Sequence, residues 1–236
     1  MNTSNKSVTG IILAAGSGQR IGGTPKQFRS LHGKPLFLHS VEQFLKSKVC
    51  SRMILVVSQN KVAYTRRLLL MYKIEGIEIV VGGATRRQST FAALSFLKAL
   101  PGSRTDDFVM VHDAARPLIT AALIRDLAKE MKRWGGAVAG VAALDIVCEA
   151  KKGFVTRVIS KKDLYYGYTP QCFRFPVVWK AYVQGKINPR IDPHADSLEL
   201  IQTSGSLKKI RIVMTYPNSK VTYASDFLAV EALLRK

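Results

Sequence analysis

The chain has 236 residues, of which 47% are hydrophobic and 22% charged. That balance fits one sizeable globular α/β unit and excludes a disordered chain. No apolar run reaches the roughly 18 residues of a membrane span, and Met1 to Ser7 is polar where a secretory leader needs an apolar stretch.

The formal charge of +20 would suit a nucleic-acid binder, but no aromatic-interleaved basic run and no nucleic-acid motif accompanies it. The excess is therefore read as a positive field that draws in small polyanions, and nucleic acid is not an expected partner. Cys50, Cys148 and Cys172 are far apart and lack paired metal spacing. They are read as reduced thiols in a cytoplasmic protein.

Val8 to Leu13 is apolar and rich in β-branched residues, the pattern of a buried strand. It runs into a loop holding Gly16, Gly18, Gly22 and Gly23, whose only charges are Arg20 and Lys26. Small residues let a backbone approach a ligand closely, and successive N–H groups can then line an anion, so the loop is predicted to cradle phosphates. Leu36 to Ser47 has helical periodicity, Met53 to Val57 reads as a strand, and Lys61 to about Tyr72 as a basic helix. Ile77 to Val81 is a strand ended by Gly82-Gly83, and Arg87 to Leu100 a helix stopped by Pro101-Gly102. Phe108 to Val111 is a fourth strand, followed at once by His112-Asp113-Ala114-Ala115-Arg116-Pro117. A helix from about Thr120 to Trp134 places Arg125, Lys129, Lys132 and Arg133 on one solvated face. A strand from Ala137 to Val141 completes this part.

Strands and helices alternating at this spacing predict a doubly wound, mostly parallel α/β sheet covered on both faces. Ile146 to Tyr168 breaks the alternation and reads as an inserted β-hairpin arm turning at Lys151-Lys152-Gly153. Helices near Phe175 to Tyr182 and Ala195 to Thr203, a strand at Ile210 to Thr215 and a helix at Tyr223 to Leu234 follow. The whole chain, 1–236, is expected to form one domain, with 146–168 as the inserted arm.

Ligands of open α/β sheets bind beyond the carboxyl ends of the strands. Three groups fall there: the opening loop with Arg20 and Lys26, the turn Gly82-Gly83-Ala84-Thr85-Arg86 leading to Ser89, and Asp113 with Arg116. Asp113 could cap the turn after it or hold a hard cation. Beside a phosphate loop the cation is favoured, since Mg²⁺ commonly takes one or two carboxylates plus substrate phosphates. His112 is read as a supporting residue, because the sequence sets no acid or nucleophile beside it. The glycine spacing does not fit a dinucleotide fingerprint, and no Gly-Lys-Ser/Thr closes a Walker loop.

Leu13-Ala-Ala-Gly-Ser-Gly-Gln-Arg20, Pro25-Lys-Gln-Phe28, Gly82-Gly-Ala-Thr-Arg86 with Ser89, His112-Asp-Ala-Ala-Arg-Pro117, Thr169-Pro-Gln171 and Lys220-Val-Thr222 before Asp226 lie in order along the chain. Together they resemble the 2-C-methyl-D-erythritol 4-phosphate cytidylyltransferase family. Tyr165 to Gln171 is also similar to the related ribitol-5-phosphate cytidylyltransferases.

The resemblance implies a nucleotidyltransferase fold and transfer of CMP from CTP to a polyol phosphate, with Mg²⁺ and release of pyrophosphate. It implies that Ala14, Ala15, Gly16, Gly18, Gly83, Ser89 and Ala114 bind CTP, that Asp113 holds the metal, and that Arg20, Lys26 and Lys220 act at the α-phosphate. It further implies acceptor binding by Arg116, Asp145, Lys161 and Thr169, and a homodimer built through the arm. The chain departs from the family pattern on the acceptor side. Ile146 stands for a threonine, Lys161 for an arm arginine, and Ala195-Asp196-Ser197-Leu198 for Thr-Asp-Glu-Ala. No general base is needed, because a phosphate monoester with a second pKa near 6 is already largely dianionic at neutral pH.

Overall fold

The computed structural model describes residues 7–16, 24–101, 107–187, 192, 195–205, 209–216 and 218–234. Strand β1 (Val8–Ala14) is followed by a 3₁₀ turn (Lys26–Phe28), the short strands β2 (Ser30–Leu31) and β3 (Lys34–Pro35), and helix α1 (Leu36–Ser47). Next come β4 (Arg52–Val57), α2 (Val62–Met71), β5 (Ile77–Val81), α3 (Arg86–Ala99), β6 (Phe108–Asp113), α4 (Ala121–Trp134) and β7 (Gly136–Ala142). The arm is β8 (Val147–Lys151) and β9 (Phe154–Ile159). After it the chain makes β10 (Tyr165–Arg174), α5 (Phe175–Ile187), α6 (Ser197–Thr203), β11 (Ile210–Met214) and α7 (Ala224–Leu234).

Seven strands form the central sheet in the order β11-β7-β10-β6-β1-β4-β5. Only β10 runs against the others, pairing antiparallel with both β6 and β7. The apolar runs are long because both faces are covered, and alternate residues serve alternate layers. Ile12, Leu55 and Met110 face α1 and α4 through Phe37, Val41, Phe44, Ile124 and Leu127. Their neighbours Ile11, Ile54 and Val109 face α3, α5 and α6 through Leu94, Val178 and Leu200. The predicted doubly wound, mostly parallel α/β fold is present.

Two features are present that the sequence does not predict. β10 is one: the sequence predicts no strand through 165–174, and a central strand is unusual where Gly167 and Pro170 interrupt it. Its pairing with β7 shifts register between Gly167 and Gln171, so Pro170 falls where no ladder N–H is needed. Tyr165 to Tyr168 therefore belongs to the central sheet, and the hairpin itself closes at Ile159. Its turn has positive φ at Lys152 (50°) and Gly153 (84°), the backbone of a tight two-residue hairpin. The β2–β3 ladder, two residue pairs long, was too short to give a period.

Helix α4 shows how local chemistry sets the boundaries. Thr120 caps its start, the hydroxyl accepting from the Leu123 N–H at 3.2 Å. Gly135 ends it in a left-handed conformation (φ 92°), its N–H donating to the Met131 carbonyl at 2.8 Å. An L side chain at that φ is strained, so Gly135→Ala is expected to cost about 1–2 kcal/mol. The measurement is a lowered urea midpoint at unchanged m-value.

Candidate active site

The parallel pairing of β1 with β6 sets Leu13 opposite Asp113. The chain leaving β1 at Ala15 and the Asp113 turn leaving β6 thus emerge from the sheet side by side, with β4 on one flank and β10 on the other. The turn after β5 packs directly onto this junction. A Cβ at Gly82 would stand 2.6 Å from the Ala15 Cβ and 2.8 Å from the Ser89 Oγ, so glycine is required there for the close approach. Thr85 then starts α3 through a capping box: its hydroxyl accepts from the Gln88 N–H at 3.1 Å, and the Gln88 Oε1 accepts from the Thr85 N–H at 3.2 Å. Ser89, on the first turn, donates to the Gly83 carbonyl at 3.2 Å.

These elements enclose one cleft. Its walls include Ala15, Gly16, Lys26, Gly83, Ser89, Asp113 and Lys220, all named from the sequence, together with Leu13, Gln27, Ala84, Thr85, Arg86 and Ala115.

At its floor Asp113 is held between two cations. The Arg86 Nε donates to Oδ1 at 2.8 Å and the Lys220 Nζ to Oδ2 at 2.7 Å. Burial opposes ionisation of this carboxyl, but Arg86 and Lys220 outweigh it and hold the group well below the usual carboxylate range. Burial likewise opposes the charge on Arg86, and Asp113 reverses that, so Arg86 stays a cation. Each Asp113 oxygen accepts one of these bonds and keeps further lone-pair capacity. Among the described residues no group of three or more His, Cys, Asp or Glu side chains could hold a metal. A hard cation here would have Asp113 and the oxygens of a substrate as its ligands.

Behind Asp113 lies a buried hydrogen-bonded clip. The Thr169 hydroxyl accepts from the Asp113 N–H at 3.1 Å and stands 3.0 Å from the His112 Nδ1. His112 Nε2 lies 3.2 Å from both the Arg116 carbonyl and the Ser40 Oγ. A carbonyl can only accept, so this network assigns the proton to Nε2, and Nδ1 accepts from Thr169. Burial pushes the His112 pKa down to about 4, which keeps the ring neutral. His112 supports the site from beneath, as the sequence suggested.

Several residues predicted to contact ligands stand elsewhere. Ala14 is buried with its carbonyl engaged by Gln27 at 2.7 Å. Ala114 is fully buried, its N–H donating to the Leu13 carbonyl at 3.0 Å, and it is Ala115 that reaches the cleft. The Thr169 hydroxyl, expected to contact the acceptor, is buried and bonds the Asp113 N–H and the His112 Nδ1, which makes it a brace for both. Arg116 lies over the Tyr168 ring at 4.7 Å and donates to the Asn218 carbonyl at 2.8 Å. Asp145 and Lys161 are exposed at the foot of the arm, with the Lys161 Nζ donating to the Leu144 carbonyl at 3.2 Å. Gly18 and Arg20 lie outside the described residues.

Arg86 and Gln27 were not assigned roles from the sequence. Arg86 did carry a signal, since a cation in the first turn of a helix opposes the macrodipole and calls for a carboxylate partner.

A family model described as IspD, 2-C-methyl-D-erythritol 4-phosphate cytidylyltransferase, matches residues 8–236. The protein of that name from Shouchella clausii is 33% identical over 96% of this chain and 96% of its own length. Its counterpart from Bacillus mycoides is 30% identical over 95% and 96%. Among solved structures, 4-diphosphocytidyl-2C-methyl-D-erythritol synthase from Anaerococcus prevotii superposes with a TM-score of 0.82 at 24% identity, covering 98% of this chain and 99% of that one.

The His112 clip has a pH consequence. The unfolded chain binds a proton at this ring below pH ~6.5, whereas the folded one resists it down to about 4. Stability from the neutral ring is therefore complete above pH ~6.5 and lost as pH falls towards 4, by up to about 3 kcal/mol. Urea unfolding across this range should show a steeper loss in the native protein than in His112→Gln.

Proposed function

The chain belongs to the 2-C-methyl-D-erythritol 4-phosphate cytidylyltransferase family, which makes it a CTP-dependent cytidylyltransferase of isoprenoid-precursor synthesis, and we propose how its cleft performs that transfer. The observation that carries the reading is the pair of lysines, Lys26 and Lys220, lining one cleft with the ionised Asp113. The backbone of Ala15, Gly16 and Gly83 and the Ser89 hydroxyl would hold the nucleoside end of CTP, because they form the small-residue wall of the cleft. Lys26 and Lys220 would face the α-phosphate, and Arg20 is assigned to the same group from the sequence.

The acceptor's phosphate is a dianion near neutral pH and needs no base. One of its oxygens attacks the α-phosphorus. A new P–O bond forms, the bond to the bridging α–β oxygen breaks, and pyrophosphate leaves with that electron pair. The barrier is the approach of two anions and the charge that grows on the leaving group. Fixed cations lower it by positioning and electrostatics.

Asp113, ionised and open to the cleft, fits a Mg²⁺ ion shared with the nucleotide phosphates. When bound, that ion supplies neutralising charge to the triphosphate. Arg86 keeps Asp113 ionised and fixed in direction. Thr169, through its bond to the Asp113 N–H, acts as a brace in this scheme.

The arm is read as the dimer contact. Leu144, Ile146, Phe154, Val155 and Val158 on and beside it are 62–78% exposed, more apolar surface than a small hairpin leaves to water without a partner. Asp145 and Lys161, at its foot, are then placed to serve the acceptor site of the second copy. All three cysteines are free, and among the described residues no helix is long and apolar enough to cross a membrane. Free thiols support the cytoplasm as the compartment.

Pyrophosphate release from CTP, Mg²⁺ and 2-C-methyl-D-erythritol 4-phosphate tests the transfer, with ribitol 5-phosphate as the competing acceptor. Turnover should require the methylerythritol acceptor and stop when EDTA removes the metal. Lys220→Ala and Lys26→Ala should each lower kcat by on the order of 10²-fold with a smaller change in KM for CTP. A raised KM at native kcat would sink the transition-state role. Sedimentation should report twice the chain mass, and Phe154→Glu with Val158→Glu should return the monomer and cost acceptor turnover while sparing CTP binding.

A further inference from the structure

We infer that Gln27 is the positioning residue that aims Lys26 into the cleft, by tying the turn that carries this lysine to the end of β1. The Gln27 side-chain amide is buried, 3% exposed. Its Nε2 donates to two carbonyls of the opening strand and loop, Ala14 at 2.7 Å and Gly16 at 2.6 Å. Lys26, Gln27 and Phe28 form one 3₁₀ turn. With about three residues per turn, successive side chains leave it roughly 120° apart.

Two of these three directions are anchored. Phe28 is packed in the apolar layer with its ring 5.4 Å from Phe37 and 5.9 Å from Tyr64. Gln27 is bonded to the strand end. The third direction, into the cleft, is left to Lys26. Pro25, at φ −51°, fixes the approach to the turn, and the Phe28 N–H closes it onto the Pro25 carbonyl at 2.9 Å.

The chemistry asks for glutamine in particular. Two carbonyls two residues apart need two N–H donors from a single neutral nitrogen, which an amide provides and a carboxylate does not. The same bonds set the nucleotide side of the cleft. In a trans peptide the N–H points opposite to the C=O, so drawing the Ala14 carbonyl towards Gln27 turns the Ala15 N–H away from it. One amide therefore fixes the spacing between the wall formed by Ala15 and Gly16 and the cation that works across from it. It also joins the two ends of the glycine-rich segment that holds Arg20 in sequence.

The kinetic part of this inference rests on the proposed cytidylyl transfer; the structural part does not. Gln27→Met keeps the length and removes both donors. It is combined with Lys26→Ala in a double-mutant cycle, with pyrophosphate release giving kcat and equilibrium dialysis of CTP giving affinity. In the native background Gln27→Met should lower kcat roughly tenfold to a hundredfold, the scale of a small misplacement of a reacting group, with a smaller change in CTP affinity. In the Lys26→Ala background it should lower kcat by less than about twofold, because Gln27 acts through the lysine that is gone. An equal fall in both backgrounds overturns the assignment, since a general loss of structure would add in each.

Hydrogen exchange gives a readout free of activity. Amides of residues 24–29 should exchange faster in Gln27→Met while those of β4 keep their protection, and unchanged exchange at 24–29 also overturns it. If Gln27→Met does not fold, the same cycle and exchange are read with Gln27→Asn, which keeps the donors on a shorter stem. A native protein that releases no pyrophosphate with either acceptor removes the transfer reading, and the exchange arm still decides the tie.

Discussion

The site depends on one buried carboxylate that could not exist alone. Taking Asp113 out of water costs several kcal/mol unless that charge is matched in place, and Arg86 and Lys220 match it from opposite sides. They lie 27 and 107 residues away in sequence, so this one ion triad links β6 to the first turn of α3 and to the segment before α7. Removing either cation would leave Asp113 one partner in place of two, and removing both would leave its charge buried without compensation. The geometry around Asp113 is therefore enforced by its own electrostatics, and the peptide scaffold beneath it is braced again by Thr169 and His112. A rigid anionic point at the end of the sheet is what a polyphosphate site needs if it is to hold cations without losing their orientation.

Charge around the cleft is organised in depth. Asp113 and Arg86 are both largely buried and fixed, while Lys220 is partly exposed, at 39% of its side chain. Fixed dipoles and charges cost no reorganisation when reaction charge develops, whereas mobile surface cations do. The excess of lysine and arginine elsewhere, such as the exposed Arg125, Lys129 and Arg133 on α4, acts at longer range and is screened by salt.

The sequence carried the architecture well where period and punctuation agree. Ile77–Val81 and Leu36–Ser47 are found with the expected bounds, because an apolar run between glycines and an amphipathic stretch after a proline each have one reading. It failed at β10, where Gly167 and Pro170 oppose a central strand and only the long-range pairing with β6 and β7 makes the segment extended. Site residues divide in the same way. Lys26, Gly83, Ser89, Asp113 and Lys220 share the cleft because they sit in turns at strand ends or next to them. Ala14, Ala114 and Thr169 lie beside the cleft residues in sequence or under them in the fold, but their side chains or carbonyls face inward, and the direction a residue faces is not written in a motif. Arg86 had a signal in the helix dipole. Gln27 had none, since its two partners are backbone carbonyls that only the fold brings near.

The placement of β10 has an outcome for how the chain is made. β6 and β7 are successive strands of the parallel alternation, yet they do not pair; the strand between them comes from beyond the arm. On a ribosome, the sheet around β1 therefore emerges with one edge of β6 open, and β7 follows with nowhere native to pair. Only when the arm has left the tunnel can β10 slide into the gap and carry Thr169 under Asp113. The floor of the cleft is thus among the last parts to close during synthesis, and a nascent chain stalled within the arm would present the end of β1 with no finished cleft beside it.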